Sequence, residues 1–279
     1  MGKYLLLLLL FLISFSCRNE KNSTSIIPKI AYQKKVVPVL QNILDSADIH
    51  GTILLLDASA KQYYSNNFVW CEKGKLPAST FKIPNTIIAL ESGVVAHDSV
   101  VFKWDGTKRA FKIWEQDLIF RDAFKYSCVP CYQKVAREIG VRQMTEYITK
   151  FDYGSISVDS TNLENFWLTG KARITPFQQI GFLKKLYESQ LPISKRTEKM
   201  VKDIMVLDEQ AAYKLSGKTG WSVDNEKNNG WFVGYLETAG KVYYFATNVE
   251  PNPTFAMDSF AGIRKEVTYK AFRNLKILQ

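Results

Sequence analysis

A chain of 279 residues is long enough to bury the core of one large domain or of two interleaved lobes. Its hydrophobic share of 46% and charged share of 23% are those of a globular protein and exclude a low-complexity or fibrous chain. The net charge of +10 comes from scattered lysines and arginines without a dense basic helix, so it reads as a solvated surface suited to small anions and argues against a nucleic-acid partner.

Residues 1–16 are predicted to be an export signal: Lys3 precedes an apolar run over 4–15, too short to span a bilayer comfortably, and Ser16 precedes Cys17. Cys17 in that setting resembles the lipidated first residue of a bacterial lipoprotein, which implies an exported, periplasmic protein attached to a membrane through that cysteine. The polar stretch that follows reads as a tether over 17–36, leaving 37–279 as the folded domain. A helix is predicted over 37–47, with Val39, Leu40, Ile43, Leu44 and Ala47 on one stripe. A strand over 51–57, with the apolar centre Ile53-Leu54-Leu55-Leu56, turns at 58–61 and returns over 62–68 as an antiparallel hairpin.

A helix over 79–93 then opens a mostly helical region that extends to about residue 210, with further helices from the 130s to 150, over 176–189 and over 197–206. Strands are predicted over 212–217, 230–237 and 241–249, before an amphipathic helix that buries Phe260, Ile263, Val267, Ala271 and Leu275. Strands at both ends with helices between them predict an α+β fold. One antiparallel sheet has its face covered by the terminal helices, and a helical lobe over about 79–210 is inserted into it.

Chemistry enters at Ser79-Thr80-Phe81-Lys82, where a hydroxyl and an amine three residues apart share one helix face, with Cβ atoms roughly 5–6 Å apart. Serine needs an adjacent base to act as a nucleophile. The two histidines, His50 and His97, lie far apart in surface-like settings, which argues against both a histidine relay and a His-rich metal site. Lys82 is the remaining candidate, provided burial lowers its pKa from about 10.4. Phe81, Ile83 and Ile87-Ile88-Ala89-Leu90 form the dry setting this requires. A second motif, Lys218-Thr219-Gly220, ends a predicted strand just before Trp221 and offers an anion a cation, a hydroxyl and close backbone approach. Ser127-Cys128-Val129 is weak alone and gains weight from its surroundings. Cys71, Cys128 and Cys131 read as buried free thiols, with a local Cys128–Cys131 disulfide as the open alternative.

The pairing of Ser-x-x-Lys with Lys-Thr-Gly marks penicillin-recognising serine enzymes. The segment Arg121-Asp122-Ala123-Phe124-Lys125-Tyr126-Ser127-Cys128-Val129-Pro130, together with Phe166-Trp167-Leu168 and Gly217-Lys218-Thr219-Gly220-Trp221, is similar to class D (oxacillinase-type) β-lactamases, and the likeness runs from Gly51 to the C-terminus. This resemblance implies a serine β-lactamase/penicillin-binding-protein-like fold and a small-molecule β-lactam substrate. It implies catalytic roles for Ser79 (nucleophile), Lys82 (carboxylated by CO2 into a general base), Ser127 (proton relay) and Lys218. It further implies that Lys218, Thr219 and Arg264 hold the substrate carboxylate, with Gly220 and Trp221 beside the substrate. Val129 and Leu168 become apolar walls, and the Trp167 indole a donor to the carboxylated lysine. The backbone N–H groups of Ser79 and Trp221 become an oxyanion hole, and no metal is required. The loops around Trp104, Trp114 and Trp221 would set the substrate range. Ser155 stands where the family usually has asparagine, and Glu164 reads as a solvated loop residue. The competing expectation is a β-lactam sensor or penicillin-binding domain that is acylated but not turned over.

Overall fold

The computed structural model describes residues 32–278. The signal-like segment, Cys17 and most of the expected tether lie outside the described residues. In chain order, β1 (Gln33–Val36) leads into α1 (Pro38–Asp45), with Pro38 in its first turn where no intrahelical N–H is needed. β2 (Ile49–Asp57) and β3 (Gln62–Ser65) form the expected hairpin. α2 (Phe68–Cys71) follows because Asn67 caps it, its side-chain oxygen accepting from the Trp70 N–H at 2.9 Å. The return strand therefore stops at Ser65, short of the predicted residue 68.

The helical region comprises α3 (Lys82–Glu91), the small ladder β4 (Val101–Phe102) with β5 (Leu118–Ile119), α4 (Phe120–Lys125), α5 (Val129–Phe151), α6 (Pro176–Tyr187) and α7 (Lys195–Ile204). α6 begins with a full capping box between Thr175 and Gln178, and α5 is kinked at Gly140. β6 (Val206–Gln210), β7 (Tyr213–Asp224), β8 (Lys227–Thr238) and β9 (Lys241–Pro251) complete the main sheet, and α8 (Phe260–Asn274) closes the described chain.

The sheet order is β1-β3-β2-β9-β8-β7-β6, antiparallel at every junction except the parallel β1–β3 pair. Alternation along the strands sorts two cores. Ile53, Leu55, Phe232, Leu236 and Phe245 face α1 and α8, while Leu54, Leu56, Trp231, Val233 and Ala246 join the helical region.

Two further boundaries differ from expectation. β1 lies within the stretch read as a tether; all four of its residues are exposed, so no hydrophobic alternation marks it, and backbone pairing to β3 holds it. β7 runs to Asp224 instead of ending at 217, because Asn225 and Glu226 both take positive φ and close a two-residue hairpin to β8. The Lys218-Thr219-Gly220 triplet consequently lies within a strand, not at its end.

Candidate active site

Ser79 sits in a 3-10 turn, Ala78–Phe81, that runs directly into α3. The turn is tied from three sides. The Ala78 N–H donates to the Trp167 carbonyl at 2.8 Å, the Thr80 hydroxyl donates to the Pro77 carbonyl at 2.6 Å, and the Gln179 amide donates to Thr80 Oγ1 at 2.9 Å. Ala78 holds φ +49°, a left-handed conformation that non-glycine residues adopt only when their surroundings enforce it.

Lys82, one helical turn on, is 1% exposed, and its Nζ donates to Ser79 Oγ at 3.2 Å. Burial drives its pKa well below the ordinary lysine value, and the positive charge of Lys218 pushes the same way. The amine is therefore biased toward its neutral form. It lies 5.0 Å from the ring centroid of Tyr132, whose hydroxyl shares a 2.6 Å hydrogen bond with Thr86.

Ser127 occupies the bend between α4 and α5 at φ +54°, and its Oγ accepts from Lys218 Nζ at 2.5 Å. Burial, then the charges of Arg264 and Lys265, bring the Lys218 pKa down to about 7. Arg264 reaches across from α8 to donate to the Gly220 carbonyl, and its Nη2 donates to the Ala261 carbonyl at 2.8 Å. Its Nε has no partner, and burial lowers its pKa to about 10. Trp167 is 1% exposed and stacks on Phe81 with ring centroids 5.8 Å apart; its indole Nε1 is buried without a partner.

These residues border an open cleft of about 510 Å³. Ser79, Ser127, Val129, Leu168, Thr219, Gly220, Trp221 and Arg264 all reach its wall. Lys82, Trp167 and Lys218 stand behind that wall, as their burial requires. The sequence-predicted site residues thus converge on one place. Gly220 passes so close to the Ser79 turn that a Cβ there would lie 3.1 Å from the Pro77 carbonyl oxygen and 3.3 Å from the Ala78 Cβ. This brings Trp221 up to the Ser79 turn from the sheet side.

Two expectations change in detail. Cys128 and Cys131 are joined in a disulfide, so only Cys71 of the three is a free thiol; the two residues bracket one helical turn, with Cα atoms 5.4 Å apart. Trp114 and Trp221 border the cleft, whereas Trp104 faces a separate cavity. Ser155 contributes backbone bonds, exchanging N–H and carbonyl with Arg173 at 2.8 and 2.9 Å. Glu164 pairs with Arg137 on the surface, in keeping with a solvated loop residue.

Sequence reasoning missed Tyr132, Gly230, Phe111 and Ile113. Gly230 is the opening through which Arg264 passes: a Cβ there would meet Arg264 Cδ at 2.6 Å and the Phe260 ring at 2.9 Å. Its signal is a glycine within an aromatic strand. Phe111 and Ile113, 59% and 40% exposed, line the cleft together with Trp221 and Val223, and no local pattern distinguishes them from loop residues. Among the described residues, no cluster of His, Cys, Asp and Glu is arranged to hold a metal ion.

The chain is similar to known proteins over most of its length. The penicillin binding protein transpeptidase domain profile matches residues 50–273. The β-lactamase OXA-48 of Klebsiella pneumoniae is 39% identical over 228 residues, covering 82% of this chain and 84% of its own. A class D β-lactamase from Sebaldella termitidis superposes with a TM-score of 0.84 at 36% identity, over 88% of this chain and 99% of that one. The class D enzyme YbXI from Nostoc gives a TM-score of 0.81 at 41% identity, over 86% and 99% of the two chains.

Proposed function

The chain belongs to the class D β-lactamases, a family of serine hydrolases that open β-lactam amides, and from that premise we propose how its residues divide the work. The observation that carries the proposal is the buried Lys82 amine, its pKa lowered by that burial, 3.2 Å from Ser79 Oγ. Ser79 Oγ attacks the lactam carbonyl carbon and passes its proton to the Lys82 side chain. The backbone N–H groups of Ser79 and Trp221 receive the developing oxyanion, a contribution of about 3 kcal/mol or more. As the C–N bond breaks, Ser127 delivers a proton to the departing nitrogen and is resupplied by Lys218, to which it is hydrogen-bonded. Lys218, Thr219 and Arg264 hold the substrate carboxylate, and Val129 and Leu168 keep bulk water from Lys82. Water then hydrolyses the Ser79 ester.

Lys82 also fits a carboxylated side chain. Only a neutral amine adds CO2, and the unpartnered Trp167 N–H is a buried donor on the segment packed against the Lys82 turn. A carboxylated Lys82 would supply an anionic oxygen as the general base. Residues 1–17 support an exported, periplasmic enzyme anchored through a lipidated Cys17, and the Cys128–Cys131 disulfide suits such an oxidising compartment.

The test is hydrolysis of a chromogenic cephalosporin by the purified protein in degassed buffer, with and without added bicarbonate. Sustained turnover that rises with bicarbonate is expected. One stoichiometric burst would indicate a sensor or penicillin-binding domain instead, and bicarbonate-insensitive turnover would remove the carboxylated lysine.

A further inference from the structure

We propose that the Cys128–Cys131 disulfide is a positioning element of catalysis, locking the bend that presents Ser127 to Lys218 and the helical turn that carries Val129 and Tyr132. Cys128 directly follows Ser127 and is the N-cap of α5. Its sulfur accepts from the Cys131 backbone N–H at 3.2 Å, so the bridge closes covalently the same turn that the cap closes by hydrogen bonding. That one turn touches the site at three points. Ser127 Oγ meets Lys218 Nζ, Val129 forms cleft wall, and the Tyr132 ring faces the Lys82 amine.

Ser127 sits at φ +54°, where a non-glycine residue stays only if both flanks hold it. On the N-terminal flank its N–H donates to the Phe124 carbonyl at 3.1 Å, and the Cys128 N–H donates to Ala123 at 2.9 Å. On the C-terminal flank the covalent tie is the bridge. The inference rests on the roles given above to Ser127 and Lys218, and it makes the rate of the site depend on thiol redox state.

The bridge is reachable in the folded protein. Cys131 is half-buried, and both cysteines form part of the wall of a second cavity of about 220 Å³, together with Trp104, Arg109, Lys134 and Arg137. Dithiothreitol can therefore attack there. It supplies two electrons and two protons, the S–S bond breaks to two thiols, and the reagent leaves as its cyclic disulfide.

The experiment compares oxidised protein, dithiothreitol-reduced protein and the Cys128→Ala/Cys131→Ala double variant, with reduction verified as two new titratable thiols per chain. Acylation by a chromogenic cephalosporin is followed by stopped flow, well below the melting temperature of every form. The expected result is an acylation rate constant lower by about tenfold in the reduced and variant proteins, with the substrate dissociation constant little changed and the rate restored on reoxidation. Equal acylation rates in oxidised and reduced wild-type protein, with only Tm lowered, would overturn the proposal and leave the bridge a structural tie. Ser127→Ala, assayed oxidised, tests the underlying reading separately: a wild-type acylation rate would remove the role of Ser127, and the proposal with it.

Discussion

A lysine amine enclosed to 1% exposure gives up its proton far more readily than one in water, and in Lys82 that cost to the folded state is what the proposed role as base draws on. The sign of the linkage follows from the direction of the shift. Between the depressed folded pKa and the ordinary value of 10.5, the unfolded chain binds a proton that the folded chain does not, so stability rises with pH across that window. Replacing Lys82 with methionine, similar in length and apolar, removes the penalty. In bicarbonate-free buffer, Lys82→Met is expected to melt higher than wild type at pH 7, by about 2–4 °C per kcal/mol relieved. The gap should shrink as pH approaches 10.5, while activity drops by about 10³-fold or more. Calorimetry across pH alongside kinetics checks both; a variant that melts lower at pH 7 would mean that burying Lys82 carries no such penalty.

At the scale of elements, strand β8 makes room for its neighbour by having no side chain at Gly230. The backbone there is ordinary, so what alanine would lack is space: its Cβ would press on Arg264 Cδ at 2.6 Å. Gly230→Ala is expected to push Arg264 out of the proposed carboxylate site and raise KM by about tenfold, with kcat reduced less. Steady-state kinetics would decide it, and an unchanged KM would show that Arg264 does not bind substrate. The same strand illustrates what the sequence could convey. β2, β8 and β9 carry apolar runs because they are central to the sheet, and those runs located them. β1 and the far half of β7 have no such signal, since backbone pairing and a positive-φ turn at Asn225–Glu226 place them. Gly230 and Tyr132 escaped notice for a related reason: their roles exist only once α8 packs on β8 and α5 packs beside α3. The motif residues Ser79, Lys82, Ser127 and Lys218 were legible because the proposed chemistry calls for those residue types at those spacings.

For the molecule as a whole, the prediction of a helical lobe inserted into a sheet leaves open whether the lobe is a separate folding unit. The packing argues that it is not. A single buried cluster joins Trp231, Val233 and Ala246 of the sheet to Phe81, Tyr132, Phe151 and Leu183 of the helical region. Phe81 lies at the heart of it, with ring centroids 5.7 Å from Tyr153, 4.8 Å from Phe166 and 5.8 Å from Trp167. The candidate site therefore sits on the seam of this shared cluster, and the Ser79 turn is held by contacts to both halves. Phe81→Ala is expected to destabilise the whole protein by about 3–5 kcal/mol, the range for emptying a large buried aromatic site. Because the core is shared, loss of activity and loss of far-ultraviolet circular dichroism should keep the same denaturant midpoint in wild type and variant alike. If activity vanished at a lower midpoint than the helical signal, the seam would open before the lobes unfold, and the site would have to be regarded as a hinge between two independently stable units.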